Sequence, residues 1–180
     1  MWQLITVCIS FAIFLIYNIT ALSIFGIPKS LSETFYLYNS KKDKLGYIFT
    51  IFMFIMGTTL LPGWLEISDL WSEWSKNLTF LAFFTSAAIC FVGAAPAFRA
   101  NKLEGAVHEV SAKIAAAAAL LWCFIVCWNI FYVPLVGAAI PAIVGLCTKS
   151  WKRAQIYWLE MMAFGATYAT VITAASLLIN

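Results

Sequence analysis

The chain has 180 residues, 63% of them hydrophobic and 11% charged, with a net charge of +3 and a mean hydropathy of +0.91. A soluble domain carries about 25% charged residues and still exposes much of its surface at this size, so an ordinary soluble fold is excluded. The cations are dispersed and form no basic stripe for nucleic acid, while the apolar residues fall in long blocks. The expected fold is all-α: a polytopic transmembrane helical bundle with one integral membrane domain over residues 1–180.

Six spans can be drawn. The first covers Trp2 to Phe25. It lacks a basic leader and is long enough to stay as an anchor, so it is not read as a cleaved signal. The loop that follows, within residues 27–45, reads "IPKSLSETFYLYNSKKDK". Ser30 and Glu33 have capping-box spacing, and a short helix from Leu31 to Asn39 puts Leu31, Phe35 and Tyr38 on one side. With Lys41, Lys42 and Lys44 behind it, this helix is expected to lie at the membrane interface on anionic headgroups.

The second span, Gly46 to Leu61, is expected to close at Pro62-Gly63. A Trp-rich outer loop over residues 63–77 then carries Trp64, Trp71 and Trp74, which suit the headgroup level. Asn77-Leu78-Thr79 in the same region is a glycosylation sequon. The third span runs from Leu78 to Phe98 and the fourth from Asn101 to Tyr132. The fifth, Leu135 to Cys147, is short against the ~20 residues a crossing needs and holds Pro141, so five spans plus a re-entrant segment is the alternative. The sixth is Ile156 to Ile179.

Positive charge alternates from loop to loop. Lys29, Lys41, Lys42 and Lys44, then Arg99 and Lys102, then Lys149, Lys152 and Arg153 lie on one side, and Lys76 is alone on the other. By the positive-inside rule both termini face outside. Five cysteines, Cys8, Cys90, Cys123, Cys127 and Cys147, all fall in or beside apolar segments and read as packing residues. Cys123 and Cys127 are one turn apart with no histidine or carboxylate at their depth, so no metal is expected there.

The charged mouth of span four, "NKLEGAVHEVSAKIAAAAA", holds the chain's one histidine. Asn101 and Glu104 again have capping-box form. Glu104 and His108, and Glu109 and Lys113, sit four apart and can pair within the helix. The His108 face continues through Ala112, Ala115 and Ala119, small residues that let another helix approach or a second copy associate. Glu160, a turn inside span six, is expected at the same level. Glu104, Glu109, Glu160, His108 and Lys113 are therefore candidates for a ligand or ion site, with an interhelical packing clamp as the other reading.

Within "GAAPAFRANKLEGAVHEVSA", Pro96 ends one span and, after a polar turn, His108 precedes Ala112 by four residues. This resembles the turn between spans three and four of six-span bacterial membrane proteins of uncharacterised role. It is more distantly similar to DRAM/Sfk-like six-span proteins, whose roles are linked to lipids and membranes. The resemblance implies a bacterial inner-membrane location and contact with membrane lipids.

Transmembrane zinc amidohydrolases of the alkaline ceramidase type need three histidines, a serine and an aspartate. One histidine and no aspartate within a span leave no such zinc site, and bis-histidine haem is excluded by the same count. Ser111 is too local on the His108 helix to act as its nucleophile; Ser30 or Ser32 would have to come from the first loop. The expected role is thus non-catalytic binding of a lipid or small apolar ligand, with no cofactor and no nucleic-acid partner. A proton- or cation-conducting transporter, or a structural or pore-forming oligomer, are the alternatives.

Overall fold

A computed structural model describes residues 1–179. The chain is helical, and no strand occurs among the described residues. Seven α-helices follow in order: α1 Trp2–Phe25, α2 Thr34–Lys41, α3 Tyr47–Trp71, α4 Thr79–Ala94, α5 Lys102–Leu121, α6 Tyr132–Cys147 and α7 Gln155–Leu177.

Four segments are long and apolar enough to cross a membrane: Trp2–Phe25, Tyr47–Trp71, Ser75–Ala94 and Lys102–Val126. At 1.5 Å per residue, the 24 residues of α1 reach about 36 Å, past a hydrocarbon core of about 30 Å. Their outer surfaces agree. Ile5, Ile16, Ile19, Ile51, Phe83 and Phe84 are each more than half exposed, a degree of apolar exposure that a water-facing surface does not sustain.

Several expected boundaries move. Pro62 does not end α3, which continues to Trp71, so most of the expected outer loop over residues 63–77 is helix. Thr58 and Thr59, in the turn before the proline, donate their hydroxyls to the carbonyls of Phe54 and Ile55, the kind of side-chain support that keeps proline in apolar helices. Trp64, expected at the interface, is fully buried instead. Its ring meets Trp122 edge to face at 5.3 Å and 89°. Trp71 is half-buried and Trp74 exposed.

The fourth span is not one continuous helix. After α5 a wide π turn covers Trp122–Val126 and a 3-10 turn covers Trp128–Ile130. The expected break at Pro141 is absent, because α6 runs through it. α4 stops at Ala94, short of the expected Phe98, since Pro96 disfavours helical backbone at Ala95.

α1 packs on α3, α3 on α4, α4 on α5 and α6 on α7, and α7 also lies beside α1, α3 and α5. Glycines set the closest approaches. A Cβ on Gly165 would stand 2.4 Å from the Gly137 carbonyl oxygen, and one on Gly137 would stand 2.3 Å from that of Gly165. The α6–α7 pair is thus a backbone-to-backbone contact that only glycine permits.

Buried hydroxyls tie the bundle across. Ser10 gives its proton to the Met56 carbonyl at 3.0 Å, so in the 2.7 Å contact with Tyr168 the phenol is the donor. One hydroxyl pair thereby joins α1, α3 and α7. Gly165→Ala should force α6 and α7 apart at a cost of ~1–3 kcal/mol, read as a fall of roughly 2–10 °C in the unfolding midpoint of the detergent-solubilised protein.

Candidate functional site

The first loop is not an interfacial helix resting on lipid. Leu31, Phe35 and Tyr38 do share a side, but they are buried in the bundle. The Tyr17 phenol donates to Thr34 at 2.5 Å, because the Thr34 hydroxyl proton is already given to the Leu31 carbonyl at 2.6 Å. Tyr38 stands edge-on to Phe25 at 4.9 Å, and burial raises its phenol above the ordinary tyrosine value. The Ser30–Glu33 box forms in shifted register: the Ser30 hydroxyl accepts from Glu33 N–H at 3.2 Å, while the Glu33 carboxylate accepts from Lys29 N–H at 2.6 Å.

Two further sets of bonds hold this loop over the bundle. On the α7 side, Tyr157 N–H donates to the Lys29 carbonyl at 2.9 Å, and Leu31 N–H donates to the Glu160 carboxylate at 2.6 Å. On the α4–α5 side, Arg99 pairs with Glu33 at 3.1 Å, and its backbone N–H donates to the Tyr36 hydroxyl at 2.8 Å. The Arg99 guanidinium also lies 4.9 Å over the Tyr36 ring.

The turn between α4 and α5 is organised by α5 side chains. Asn101 caps α5, accepting from Leu103 N–H at 2.9 Å. Glu104 does not pair with His108 as its spacing allowed; it accepts from Ala97 N–H at 3.1 Å. His108 is buried, with Nδ1 3.1 Å from the Ala95 carbonyl oxygen and its ring stacked on Phe98 at 4.5 Å. A carbonyl only accepts, so Nδ1 carries the proton and Nε2 is left as an acceptor in the neutral ring. Glu109 and Lys113 form their expected pair at 2.6 Å, but both are largely exposed and turned away from His108.

Beneath the loop lies an internal cavity of about 90 Å³. Leu31 and Ser32 roof it, His108 and Glu160 line its mouth, and Ala112, Ala115 and Ala119 form one wall. The alanine face thus borders a space inside its own bundle. Of the five sequence candidates, the structure brings His108 and Glu160 to this cavity. Glu104 stays at the turn, and Glu109 and Lys113 stay outside it.

The lining is apolar apart from these two side chains and a few hydroxyls, and most of those are committed. Thr85 donates to the Leu81 carbonyl, Thr167 to Ala163 and Tyr168 to Ser10. Glu160 takes one bond, from Leu31, and no cation comes within ion-pair range of it among the described residues. No group of three metal-ligating side chains occurs among the described residues either.

The roof contacts were not legible in sequence. Leu31 acts through its backbone, and Phe98, Tyr36 and Arg99 gain their roles from loops meeting in space. The one available signal was an isolated carboxylate, Glu160, in an apolar helix.

Fold and cavity together define an all-helical protein with four segments long and apolar enough to cross a membrane and a mainly apolar pocket that His108 and Glu160 help to line. Compared with known protein families, characterised proteins and solved structures, the chain matches none of them at a significant level.

Glu160→Leu should leave the Leu31 amide without an acceptor and loosen the roof, whereas Glu160→Gln keeps a carbonyl acceptor there. Hydrogen exchange over residues 29–34 should accelerate by about tenfold or more in the leucine variant and change little in the glutamine variant.

Proposed function

We propose that this protein is a non-catalytic binder of a small apolar ligand or a single lipid tail, which enters from the cytoplasmic leaflet and lodges in the cavity below the first loop. The observation that carries the reading is the cavity itself, about 90 Å³ and roofed by a loop held on two sides. An apolar cavity of about 150 Å³ is enough to take up benzene, so the site suits a narrow guest rather than a whole headgroup with two chains. His108 and Glu160 at the mouth would orient the guest's polar end, the usual division of labour in small-molecule pockets.

The proposed topology has six crossings, with the three basic loops in the cytoplasm and both termini outside, in a bacterial inner membrane. It rests on the charge alternation and on the length of α7, whose 23 residues reach about 34 Å. α6 has 16 residues and would cross at about 24 Å, with the preceding 3-10 turn reaching the interface. A transport role draws less support, since α6 is continuous through Pro141 and offers no broken half-helix of the kind transporters use.

Two experiments test these readings. Native mass spectrometry of gently extracted protein should show a stoichiometric adduct that is lost in Ala112→Leu, which fills the cavity; a bare wild-type protein would count against binding. For the topology, Lys42→Cys and Lys149→Cys, each in a cysteine-free background, should react with an impermeant maleimide only after permeabilisation, and Lys76→Cys should react in intact cells. Lys149→Cys labelling from the side opposite Lys42→Cys would mean that the chain crosses five times.

A further inference from the structure

The free hydrogen-bonding positions of His108 and Glu160 in the cavity are acceptors, and from this we infer that its ligand carries a hydrogen-bond donor head, an ammonium or a hydroxyl, on a narrow apolar body, and that anionic heads such as carboxylates are disfavoured. The inference rests on the proposed binding role and specifies the chemistry of its ligand.

The argument is a count of donors. Glu160 offers an oxygen with no protein partner, because Leu31 N–H occupies only Oε2. His108 offers Nε2 as an acceptor, because Nδ1–H points to the Ala95 carbonyl. Both side chains line the same space. The lining hydroxyls of Thr85, Thr167 and Tyr168 have given their protons to Leu81, Ala163 and Ser10.

Ser32 shares a 3.2 Å contact with Ser30 and is the one hydroxyl whose proton is not assigned to a backbone or phenol partner. No cation comes within ion-pair range of Glu160 among the described residues, and Lys113 and Arg99 pair with Glu109 and Glu33. With Glu160 ionised, an anionic guest would face a carboxylate and an imidazole lone pair with no cation in that range among the described residues, and burying an unpaired charge is strongly unfavourable. A donor head meets two acceptors of suitable kind, and an ammonium also supplies the counter-charge that Glu160 lacks.

The test uses the full chain in detergent with three probes of equal chain length: hexylamine, 1-hexanol and hexanoate. Butyl and octyl series give the length the cavity accepts. The readout is the shift in thermal unfolding midpoint, with Ala112→Leu as the control for partition into micelles.

Hexylamine and hexanol should stabilise the wild type with at least tenfold lower half-effect concentrations than hexanoate, and neither should stabilise Ala112→Leu beyond the micelle background. Glu160→Gln, which preserves the acceptor for Leu31 but adds an N–H₂ donor to the cavity, should erase the preference for the amine and bring hexanoate to within about twofold of it. It also stands in if the cavity-filled variant does not fold.

Hexanoate binding as tightly as hexylamine to the wild type would overturn the donor-head inference and leave the pocket reading intact. Equal shifts in wild type and Ala112→Leu, or no shift with any probe in folded wild type, would overturn the pocket reading and this inference with it.

Discussion

Inside an apolar helical bundle a carboxyl group must find its partner within the chain, and for Glu160 that partner is the backbone amide of Leu31. Much of the basic end of the molecule is arranged around this contact. To bring Leu31 N–H to α7, the first loop must turn inward at Gly26, which takes up a φ of 68° that side chains rarely adopt. Its apolar side then buries in the protein rather than in lipid. Once there, Glu33 and Tyr36 meet Arg99 on the far side, and the loop spans from α7 to the α4–α5 turn. A hydrogen bond to a charged group is worth roughly 1.5–3 kcal/mol, and loss of the acceptor would add the cost of an orphaned amide. The roof is thus held by directional contacts at its two sides and by the buried Leu31, Phe35 and Tyr38 side chains between them.

The cavity exists because small residues do two different things. At α6–α7 two glycines face each other and let backbones touch. At α3–α4, Gly93 sits under Met53, 2.7 Å from where its Cβ would stand, and Gly57 lies more loosely against Ser86 and Cys90, both 3.1 Å from where its Cβ would stand. Along α5 the small residues are alanines, and the helices opposite do not close the last gap. Interiors pack to near-crystalline density, so a gap of this kind beside a histidine and a glutamate is a local departure from that rule. Away from the cavity the core is filled by Met56, Ile67 and Val171, all fully buried.

Much of the helical layout was readable from block hydropathy and from a few breakers. Pro96 ends α4 and Asn101 caps α5, because their effects are local and do not depend on what lies opposite. Pro62 and Pro141 misled for the complementary reason: within packed apolar helices the surroundings support the backbone that a proline disturbs. Trp64 was read as interfacial from its type alone, yet the continuation of α3 turns it toward Trp122. His108 was placed inward correctly by the alanines that follow it in helical register, but its partner was misread. The spacing to Glu104 competes with a carbonyl at Ala95 that only the folded turn delivers. Glu160 and Leu31 are 129 positions apart, and no periodicity joins a side chain to a backbone amide across that separation.

The two ends of the cavity are closed by different physics. One turn beyond Leu60 lies Trp64, and one turn beyond Ala119 lies Trp122; both are fully buried and meet edge to face. Trp122 donates its indole N–H to the Ser68 hydroxyl at 2.8 Å, Ser68 in turn donates to the Trp64 carbonyl, and the Ser75 hydroxyl closes on the Ser68 carbonyl at 2.6 Å. Opening that floor would require separating two large aromatic rings and breaking a chain of buried hydrogen bonds at once. The roof is held differently, by bonds from Leu31 to Glu160, from Tyr157 to Lys29 and from Arg99 to Glu33 and Tyr36, with Leu31, Phe35 and Tyr38 buried beneath them. One end of the cavity thus meets hydrogen-bonded backbone beside His108 and Glu160 and the other meets two tryptophan rings, so the space is chemically directional along its length.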